Sequence, residues 1–323
     1  MIINKEKYDV IKNYINIANN IAIFCHINPD GDTLGSGLAL YSFLKKAGKK
    51  VAVFCEDNPP AKLSFLPDSD KINNEMSDAK FDLAIAVDIS DEERLGIRQV
   101  KKFFKAKNNI CIDHHKTNTG FAKYTLFEPA SATCEIIYKL MRYIDKTLID
   151  RDAATCVACG IITDSGAFNY SSTTAETHEI VAELYGFDFD ISEIIYRLIR
   201  EVKLNVFKLK NRVFAKTIFE CDNQIAIITF TKEDFAATDT SKENTDGIVS
   251  ELIAIDTVKF AVAMTEERKA SYKVSFRTKA PYDSSECAGV FGGGGHKFAG
   301  GCRIDGFYYD VIDKLVKVCK DRL

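Results

Sequence analysis

Several features that would assign this chain of 323 residues to a specialised class are missing from it. No apolar stretch approaches the roughly 20 residues that cross a bilayer as a helix, so we expect no membrane-spanning segment. Polar residues occur throughout the first twenty positions, so we expect no signal peptide either. The formal net charge of -3 excludes a protein that binds nucleic acid over a broadly basic surface. A polyanionic substrate must therefore be bound by a local cationic site.

The composition is that of a folded chain. Hydrophobic residues make up 46% and charged residues 28%, which excludes a mainly disordered protein. The ten cysteines are scattered through mostly apolar segments, a pattern typical of reduced, buried thiols, so we expect a cytoplasmic protein. The length is more than one ordinary core accommodates and predicts two domains.

The first half of the chain alternates strand-like and helix-like segments. The strand-like segments are IAIFC (21–25), VAVFC (51–55), FDLAIAV (81–87) and NNICI (108–112). Residues 33–47 have helical apolar spacing and stop at Gly48. Short buried strands separated by helices predict an α/β domain with a mainly parallel sheet covered by helices on both faces. We assign this domain to residues 1–187.

Helical segments follow these strands. Residues 131–185 are helical, with a turn around 164–166, and residues 188–205 are predicted to form a helical linker. Strand-like segments then follow at 224–230, 258–264 and 272–278, with helices at 248–255 and from about 309. We therefore expect a smaller α/β domain over residues 206–323, separated from the first domain by a cleft.

Acidic and imidazole side chains follow three of the predicted strands. Because the carboxyl ends of parallel strands meet at one edge of a sheet, these residues are expected to lie where ligands bind. A fourth acidic residue lies in the Thr-Asp-Ser-Gly turn that follows an apolar segment. The candidate metal ligands are His26, Asp30, Asp32, Asp88, His114 and Asp164.

Each candidate ligand also has an ordinary structural explanation as a helix cap or a turn former. The adjacent pair His114 and His115 argues against that explanation, since the chain holds only five histidines. Carboxylates with imidazoles suit Mn²⁺ best, with Mg²⁺, Co²⁺ or Fe²⁺ as alternatives, and the lack of a cysteine ligand argues against structural zinc. Four carboxylates would balance two divalent cations, and one bridging carboxylate would hold them about 3.5–4 Å apart.

A further motif, FGGGGHKFAGG, lies at residues 291–301. Its consecutive glycines would expose backbone N–H groups to a ligand, although a flexible loop is the alternative. Upstream, Arg277 would contact a phosphate through two hydrogen bonds, with a surface salt bridge as the alternative. The candidate substrate-binding residues are Arg277, Gly293, Gly294, Gly295 and His296.

In this order, the motifs resemble those of the DHH phosphoesterases that carry a DHH-associated (DHHA1) second domain. The matching segments are HINPDGDTLGS, VDISDEERLG, IDHHKTN, TDSGAF, FRT and GGGGHKFAGG. The two-domain plan is most similar to NrnA-type enzymes. The resemblance implies a homodimeric hydrolase that cleaves short oligoribonucleotides and linear dinucleotides, and removes the 3′-phosphate of 3′-phosphoadenosine 5′-phosphate (pAp).

The resemblance also implies roles for individual residues. One Mn²⁺ would be held by His26, Asp30 and Asp88. The second would be held by Asp32, Asp88, His114 and Asp164. Of the two predicted catalytic residues, Asp113 would orient a ligand imidazole, and His115 would contact the scissile phosphate or the leaving oxygen. A hydroxide formed between the two ions would attack phosphorus.

Other activities remain compatible with these motifs. A stand-alone cyclic di-AMP phosphodiesterase has the same architecture and nearly the same motifs. A family II inorganic pyrophosphatase shares the motifs of the first domain, but its second domain differs. A non-catalytic nucleotide sensor is disfavoured, because all six ligand positions hold residues able to bind a metal. The family more often has Thr at the position of Ser165, which keeps the hydroxyl.

Overall fold

The computed structural model describes residues 4–74, 79–245 and 247–323. It divides the chain into two compact units, Met1–Glu201 and Val202–Leu323. Within the described ranges, no helix has both the length and the apolar character needed to cross a membrane. The domain boundaries that we set from the sequence remain a prediction.

The first unit is built on a single parallel sheet. Its helices are α1 (Lys5–Ile17), α2 (Gly31–Lys46), α3 (Val100–Lys105), α4 (Thr133–Asp145), α5 (Arg151–Asp164), α6 (Ala175–Leu184) and α7 (Ile191–Ile195). Its strands are β1 (Asn20–Phe24), β2 (Lys50–Phe54), β3 (Ile72–Asn73), β4 (Leu83–Val87), β5 (Asn108–Asp113) and β6 (Tyr124–Phe127). The strand order is β3-β2-β1-β4-β5-β6, and every neighbouring pair is parallel. The predicted mainly parallel sheet is confirmed.

The strands of this sheet are apolar on both faces because each face packs against a core. Ile21 and Ile23 of β1 belong to a large core that also contains residues of α1, α2, α4, α5 and α6. Ala22 and Phe24, which point the other way, belong to a second core with Phe103 of α3. Alternating burial on two faces is why these strands are nearly continuous apolar runs in the sequence.

Two glycines allow α2 and α5 to pack closely beneath the carboxyl edge of the sheet. A Cβ added to Gly35 of α2 would lie 2.4 Å from the carbonyl oxygen of Cys156 in α5. A Cβ added to Gly160 of α5 would lie 2.2 Å from the Sγ of Cys134 and 2.7 Å from Oδ1 of Asp32. Only glycine leaves this space free, so the two helices approach each other closely where they carry acidic residues.

The second unit has a mixed sheet. Its helices are α8 (Leu204–Phe214), α9 (Lys232–Thr238), α10 (Ile248–Ile253), α11 (Ser284–Gly289) and α12 (Tyr308–Lys320). Its strands are β7 (Ile218–Glu220), β8 (Ile225–Phe230), β9 (Phe260–Arg268), β10 (Ser271–Thr278), β11 (Gly294–His296) and β12 (Ala299–Asp305). The order is β11-β12-β10-β9-β8-β7, in which only the pair β8–β9 is parallel. This confirms a second α/β domain.

The structure does not show the flexible loop given above as the alternative for the glycine run, because Gly294 pairs with Gly301 in a short hairpin of β11 and β12. One other segment differs from the sequence-based expectation. The linker predicted to be helical over 188–205 contains α7 and a π-helical turn at Tyr196–Arg200. It then becomes non-helical over residues 201–203 before α8 begins.

Candidate metal centre

The carboxyl edge of the parallel sheet gathers the predicted ligands from several segments of the chain. His26 lies just after β1, Asp88 directly follows β4, and His114 directly follows β5. Asp32 lies in the first turn of α2, and Asp164 is the last residue of α5. The structure brings all six candidate ligands together, and their ligand atoms form groups in which every pair lies within 4.8 Å.

The first group comprises His26, Asp30 and Asp88. The Nε2 atom of His26 lies 3.6 Å from Oδ2 of Asp30 and 3.5 Å from Oδ2 of Asp88. The Nδ1 atom lies 2.7 Å from the carbonyl oxygen of Ile27. Because a carbonyl can only accept, Nδ1 carries the hydrogen, and Nε2 is directed at the carboxylates.

The second group comprises Asp32, His114 and Asp164. The Nε2 atom of His114 lies 3.4 Å from Oδ2 of Asp164, 3.5 Å from Oδ1 of Asp88 and 4.0 Å from Oδ2 of Asp32. Its Nδ1 atom is fixed by the carbonyl oxygen of Ala130 at 3.1 Å. In the described structure this Nε2 is buried and has no hydrogen-bond partner. A buried imidazole nitrogen without a partner among carboxylates is the arrangement that a metal ion would complete.

Asp88 connects the two groups. Its Oδ2 atom faces His26, and its Oδ1 atom faces His114. The backbone of Asp88 has a φ of +61°, in the left-handed region that non-glycine residues rarely adopt. The side chain is fixed further by Thr133, whose hydroxyl donates to Oδ1 at 2.9 Å.

The carboxylates of the cluster are buried and repel one another, which favours binding of a cation. Burial, with repulsion from Asp88 and Asp30, raises the pKa of Asp164 to about 8. Burial, with repulsion from Asp88 and Asp164, also raises the pKa of Asp32. Burial alone would lower the pKa of His26, but its hydrogen bonds to Asp30 and Asp88 outweigh burial and raise that pKa to about 9. Without a cation, protons must balance these carboxylates, so the donor set fits divalent metal ions.

Thr133, the first residue of α4, was not predicted from the sequence as part of the site. Its backbone N–H donates to Oδ2 of Asp32 at 2.6 Å, and the N–H of Cys134 donates to Oδ1 at 2.9 Å. The residue at the N-cap position, Ala132, offers no side-chain cap, so Asp32 caps α4 from a distant part of the chain. No local signal in the sequence links these residues, because about a hundred positions separate them.

His115 lies at the margin of the cluster, with a side chain that is 42% exposed. Its Nδ1 atom lies 2.8 Å from Oδ1 of Asp113, which raises the pKa of His115. Asp113 is buried, and its other oxygen accepts from Asn118 Nδ2 at 2.6 Å. The resemblance implied that Asp113 orients a ligand imidazole, and that role stays a prediction. In the structure Oδ1 of Asp113 accepts from the backbone N–H of His114 at 2.9 Å and lies 2.8 Å from Nδ1 of His115, while the ring of His114 is fixed by Ala130.

Four buried thiols contact the loops that carry the candidate ligands. Each donates a hydrogen bond to a backbone carbonyl oxygen: Cys25 to Thr33, Cys55 to His26, Cys111 to Ile89 and Cys134 to Asp32. Burial raises the pKa of all four thiols, which keeps them protonated and able to donate. The cysteine positions noted in the sequence therefore support the loops at the edge of the sheet.

The structure places the five candidate substrate-binding residues in the second unit. Arg277 of β10 pairs with Ala299 of β12, which pairs with His296 of β11, so all three occupy one row across the sheet. The Nη1 atom of Arg277 donates to the carbonyl oxygen of Phe276 at 2.9 Å. Gly293 lies just before β11, and a Cβ added there would lie 2.2 Å from the carbonyl oxygen of Gly301. A Cβ added to Gly295 would likewise lie 2.4 Å from the carbonyl oxygen of Ala299, whereas one added to Gly294 would meet nothing within 4 Å, so close backbone packing requires glycine at 293 and 295.

The sequence matches the DHH family, N-terminal domain, over residues 20–161 and the DHHA1 domain over residues 223–323. It is 30% identical to the "Bifunctional oligoribonuclease and PAP phosphatase NrnA" of Mycoplasma genitalium, over 94% of this chain and 95% of that protein. The chain belongs to the DHH–DHHA1 family.

Two further proteins similar to this chain bear on the fold and the metal. An exopolyphosphatase-related protein of Bacteroides fragilis has a crystal structure that matches with a TM-score of 0.86, at 26% identity. That alignment covers 99% of this DHH–DHHA1 chain and 97% of the other. A probable manganese-dependent inorganic pyrophosphatase of Streptococcus equi subsp. equi is 25% identical over 51% of this chain and 55% of its own length.

Proposed function

We propose that this DHH–DHHA1 protein is a manganese-dependent phosphoesterase that hydrolyses short oligoribonucleotides and the 3′-phosphate of pAp. The observation that carries the proposal is the convergence of two imidazoles and four carboxylates at one edge of the sheet. The Mycoplasma genitalium relative, named for both activities, aligns over nearly the whole of both chains. The site and the family membership together point to hydrolysis of phosphate esters.

In this proposal the two groups of the cluster hold two divalent ions. His26, Asp30 and Asp88 would hold one ion, and Asp32, Asp88, His114 and Asp164 would hold the other. The ions would supply Lewis-acid stabilisation of the phosphoryl oxygens and lower the pKa of a water molecule. Support for Mn²⁺ comes from the mixed carboxylate and imidazole donors and from the name of the partial relative in Streptococcus equi.

In this proposal, residues of the chain itself position the metal ligands and donate a hydrogen bond to the substrate. Asp113 holds the Nδ1 atom of His115 and favours its charged form, so Nε2 donates a hydrogen bond to the phosphate or to the leaving oxygen. Asp113 is buried and acts through His115, which makes it a positioning residue. Thr133 holds both Asp32 and Asp88 in place for the ions.

The rest of the nucleotide is bound, in this proposal, by the row that contains Arg277 and His296 in the second unit. The four carboxylates of the metal cluster would balance the charge of two divalent ions and leave no excess positive charge for a substrate. Further cations are therefore needed to bind it. Short substrates suit a chain whose net charge is -3, since a long strand would require a broad basic surface. The homodimer implied by the resemblance stays a prediction. A cytoplasmic location is also proposed, supported by ten free cysteines.

The test is a Mn²⁺-dependent assay of four substrates side by side: pAp, linear pApA, a five-nucleotide RNA and cyclic di-AMP. We expect turnover of the first three and little turnover of the cyclic compound. The matched control is the double variant Asp88→Ala/His114→Ala, which removes ligands of both ions. A strong preference for cyclic di-AMP would replace the proposal by a cyclic-dinucleotide phosphodiesterase. Activity that survives the double substitution would contradict the assigned ligands.

A further inference from the structure

The neighbouring strands β1 and β4 part at the carboxyl edge of the first unit. Their pairing ends at Phe24 and Ala86. Beyond that point the N–H of Cys25 donates to a carbonyl oxygen of β2, while the N–H of Asp88 donates to a carbonyl oxygen of β5. The sheet grows from β1 towards β3 on one side and from β4 towards β6 on the other. The gap between β1 and β4 is therefore the topological switch point, where sheets of this kind bind ligands.

A single hydroxyl group bridges the two strands at this gap. The Oγ1 atom of Thr33, in the first turn of α2, accepts from the backbone N–H of His26 at 3.2 Å. The same hydroxyl donates to the carbonyl oxygen of Val87 at 3.1 Å. Thr33 is fully buried, and a hydroxyl can donate and accept at once, so it links a backbone donor of one strand to a backbone acceptor of the other.

Thr33 contacts every part of the first ligand group. His26, whose N–H it accepts, is itself a candidate ligand, and Val87 directly precedes the candidate ligand Asp88. The backbone N–H of Thr33 also donates to Oδ1 of Asp30 at 3.1 Å, while Oδ2 of Asp30 faces His26 at 3.6 Å. Thr33 was not among the residues selected from the sequence, because its contacts depend on how α2 meets the two strands.

We propose that Thr33 is a positioning residue for the first metal ion, because its hydroxyl sets the separation of β1 and β4 and thereby that of His26 and Asp88. The inference rests on the proposed function and deepens it. Without the hydroxyl, the buried N–H of His26 and the carbonyl of Val87 lose this partner, and the strands must shift to satisfy them. Metal affinity depends on how such outer contacts orient the ligands.

The test is a Mn²⁺ titration of the metal-free full chain, in which the free ion is measured by electron paramagnetic resonance. We expect Thr33→Val to weaken binding of one of the two ions about tenfold, and Thr33→Ser, which keeps the hydroxyl, to bind as the wild type does. Thr33→Ala should lose less affinity than Thr33→Val, since its smaller side chain leaves room for a water molecule to bridge the two backbone groups. A role in packing alone predicts the opposite order, because valine has nearly the shape of threonine.

Three further variants serve as controls in the same titration. Thr125→Val removes a buried hydroxyl that has no hydrogen-bond partner within the described part of the chain, and should bind both ions normally. His26→Ala and Asp164→Ala each remove a candidate ligand of one group, so they identify which ion is lost. The titration of Thr33→Val should resemble that of His26→Ala.

Wild-type affinity of Thr33→Val for both ions, or a larger loss in Thr33→Ala than in Thr33→Val, would overturn the proposal. If Thr33→Val does not fold, weaker binding by Thr33→Ala than by Thr33→Ser supports the proposal, and equal binding by these two contradicts it. The titration does not depend on catalysis. If the wild type binds two ions but hydrolyses none of the four substrates, the proposed function fails, and the role of Thr33 is still decided by the binding data.

Discussion

At the residue scale, the candidate metal centre depends on residues that are not themselves ligands, and Thr133 is an example. Its N–H contacts Asp32, and its hydroxyl contacts Asp88, so one residue positions a carboxylate of each group. Hydrogen bonds of this kind orient ligands and keep them basic. Substitutions at this position can test the hydroxyl alone. The backbone N–H that caps α4 through Asp32 remains in any variant except proline.

We predict that Thr133→Val raises the Mn²⁺ concentration for half-maximal activity by about tenfold, as loss of an outer-shell hydrogen bond does. The side chain keeps nearly the same shape, but Oδ1 of Asp88 loses its donor at 2.9 Å. Thr133→Ser, which keeps the hydroxyl, is the control and should stay close to the wild type. A Mn²⁺ titration in which both variants behave alike would contradict this role of the hydroxyl.

Sequence analysis can identify candidate ligands more easily than the residues that position them. His26, Asp88 and His114 each follow a recognisable buried strand, so the rule for parallel sheets placed them at one edge. Their role as ligands stays a prediction. Thr133 escaped notice because its contact with Asp32 depends on how α4 meets α2. Ala130 escaped notice because its carbonyl, which lies between β6 and α4, contacts His114 after β5. No local pattern encodes either contact.

At the scale of helices and strands, the packing of α2 against α5 determines where Asp32 and Asp164 lie. Gly35 and Gly160 leave no room for a side chain at this contact. The buried strands β1, β2, β4 and β5 were predicted because their apolar runs are continuous. The short edge strands β3 and β6 were missed. Strand β12 was missed as well, since its Ala-Gly-Gly start is not typical of a strand.

We predict that Gly35→Ala destabilises the protein by about 1–3 kcal/mol, the usual result of overpacking. The new methyl group would lie 2.4 Å from a backbone oxygen of α5, which cannot rotate away. Gly186→Ala is the control in the same unit, because a Cβ there meets nothing within 4 Å. Urea unfolding of both variants measures the difference. An equal free energy of unfolding for the two would show that the helices separate without cost.

A second prediction at this scale concerns Asp234 of α9. It is buried, and Oδ1 lies 2.6 Å from both Arg212 Nε and Lys216 Nζ. Burial alone would raise its pKa, but the hydrogen bonds from Lys216, Thr231 and Arg212 outweigh burial and lower that pKa to about 2. Because the pKa is lower in the folded chain, the stabilisation is present above about pH 4 and is lost as the pH falls towards 2.

Asp234→Asn should therefore lower the free energy of unfolding by about 1–2 kcal/mol at pH 7. It should also reduce the loss of stability of the second unit between pH 4 and pH 2. Thermal unfolding across this range checks the prediction, with Asp256→Asn as the control, since Asp256 makes no ion pair within 4.0 Å among the described residues. A variant that keeps the pH dependence of the wild type would contradict the assigned interaction.

The whole molecule consists of two units, each with its own cores. The candidate ligands all lie in the first unit, so metal binding should stabilise that unit directly. At a Mn²⁺ concentration 100 times the dissociation constant, one bound ion adds about 2.7 kcal/mol of stability.

We predict that Mn²⁺ slows amide hydrogen exchange in peptides from β1, α2, α4 and α5, with little change across residues 202–323. Mass spectrometry of the full chain, with and without the ion, measures the difference. The variant Asp88→Ala/His114→Ala serves as the control and should give no protection. Equal protection of both units would show that the ion acts elsewhere.

The candidate ligands are spread along the chain from His26 to Asp164, and each group draws on distant segments. During translation the amino-terminal residues emerge first, and the last ligand of the proposed centre emerges only when α5 has been made. A nascent or truncated chain that stops before Asp164 has an incomplete second group. In the proposed assignment, both ligand groups are therefore complete only after most of the first unit has been synthesised.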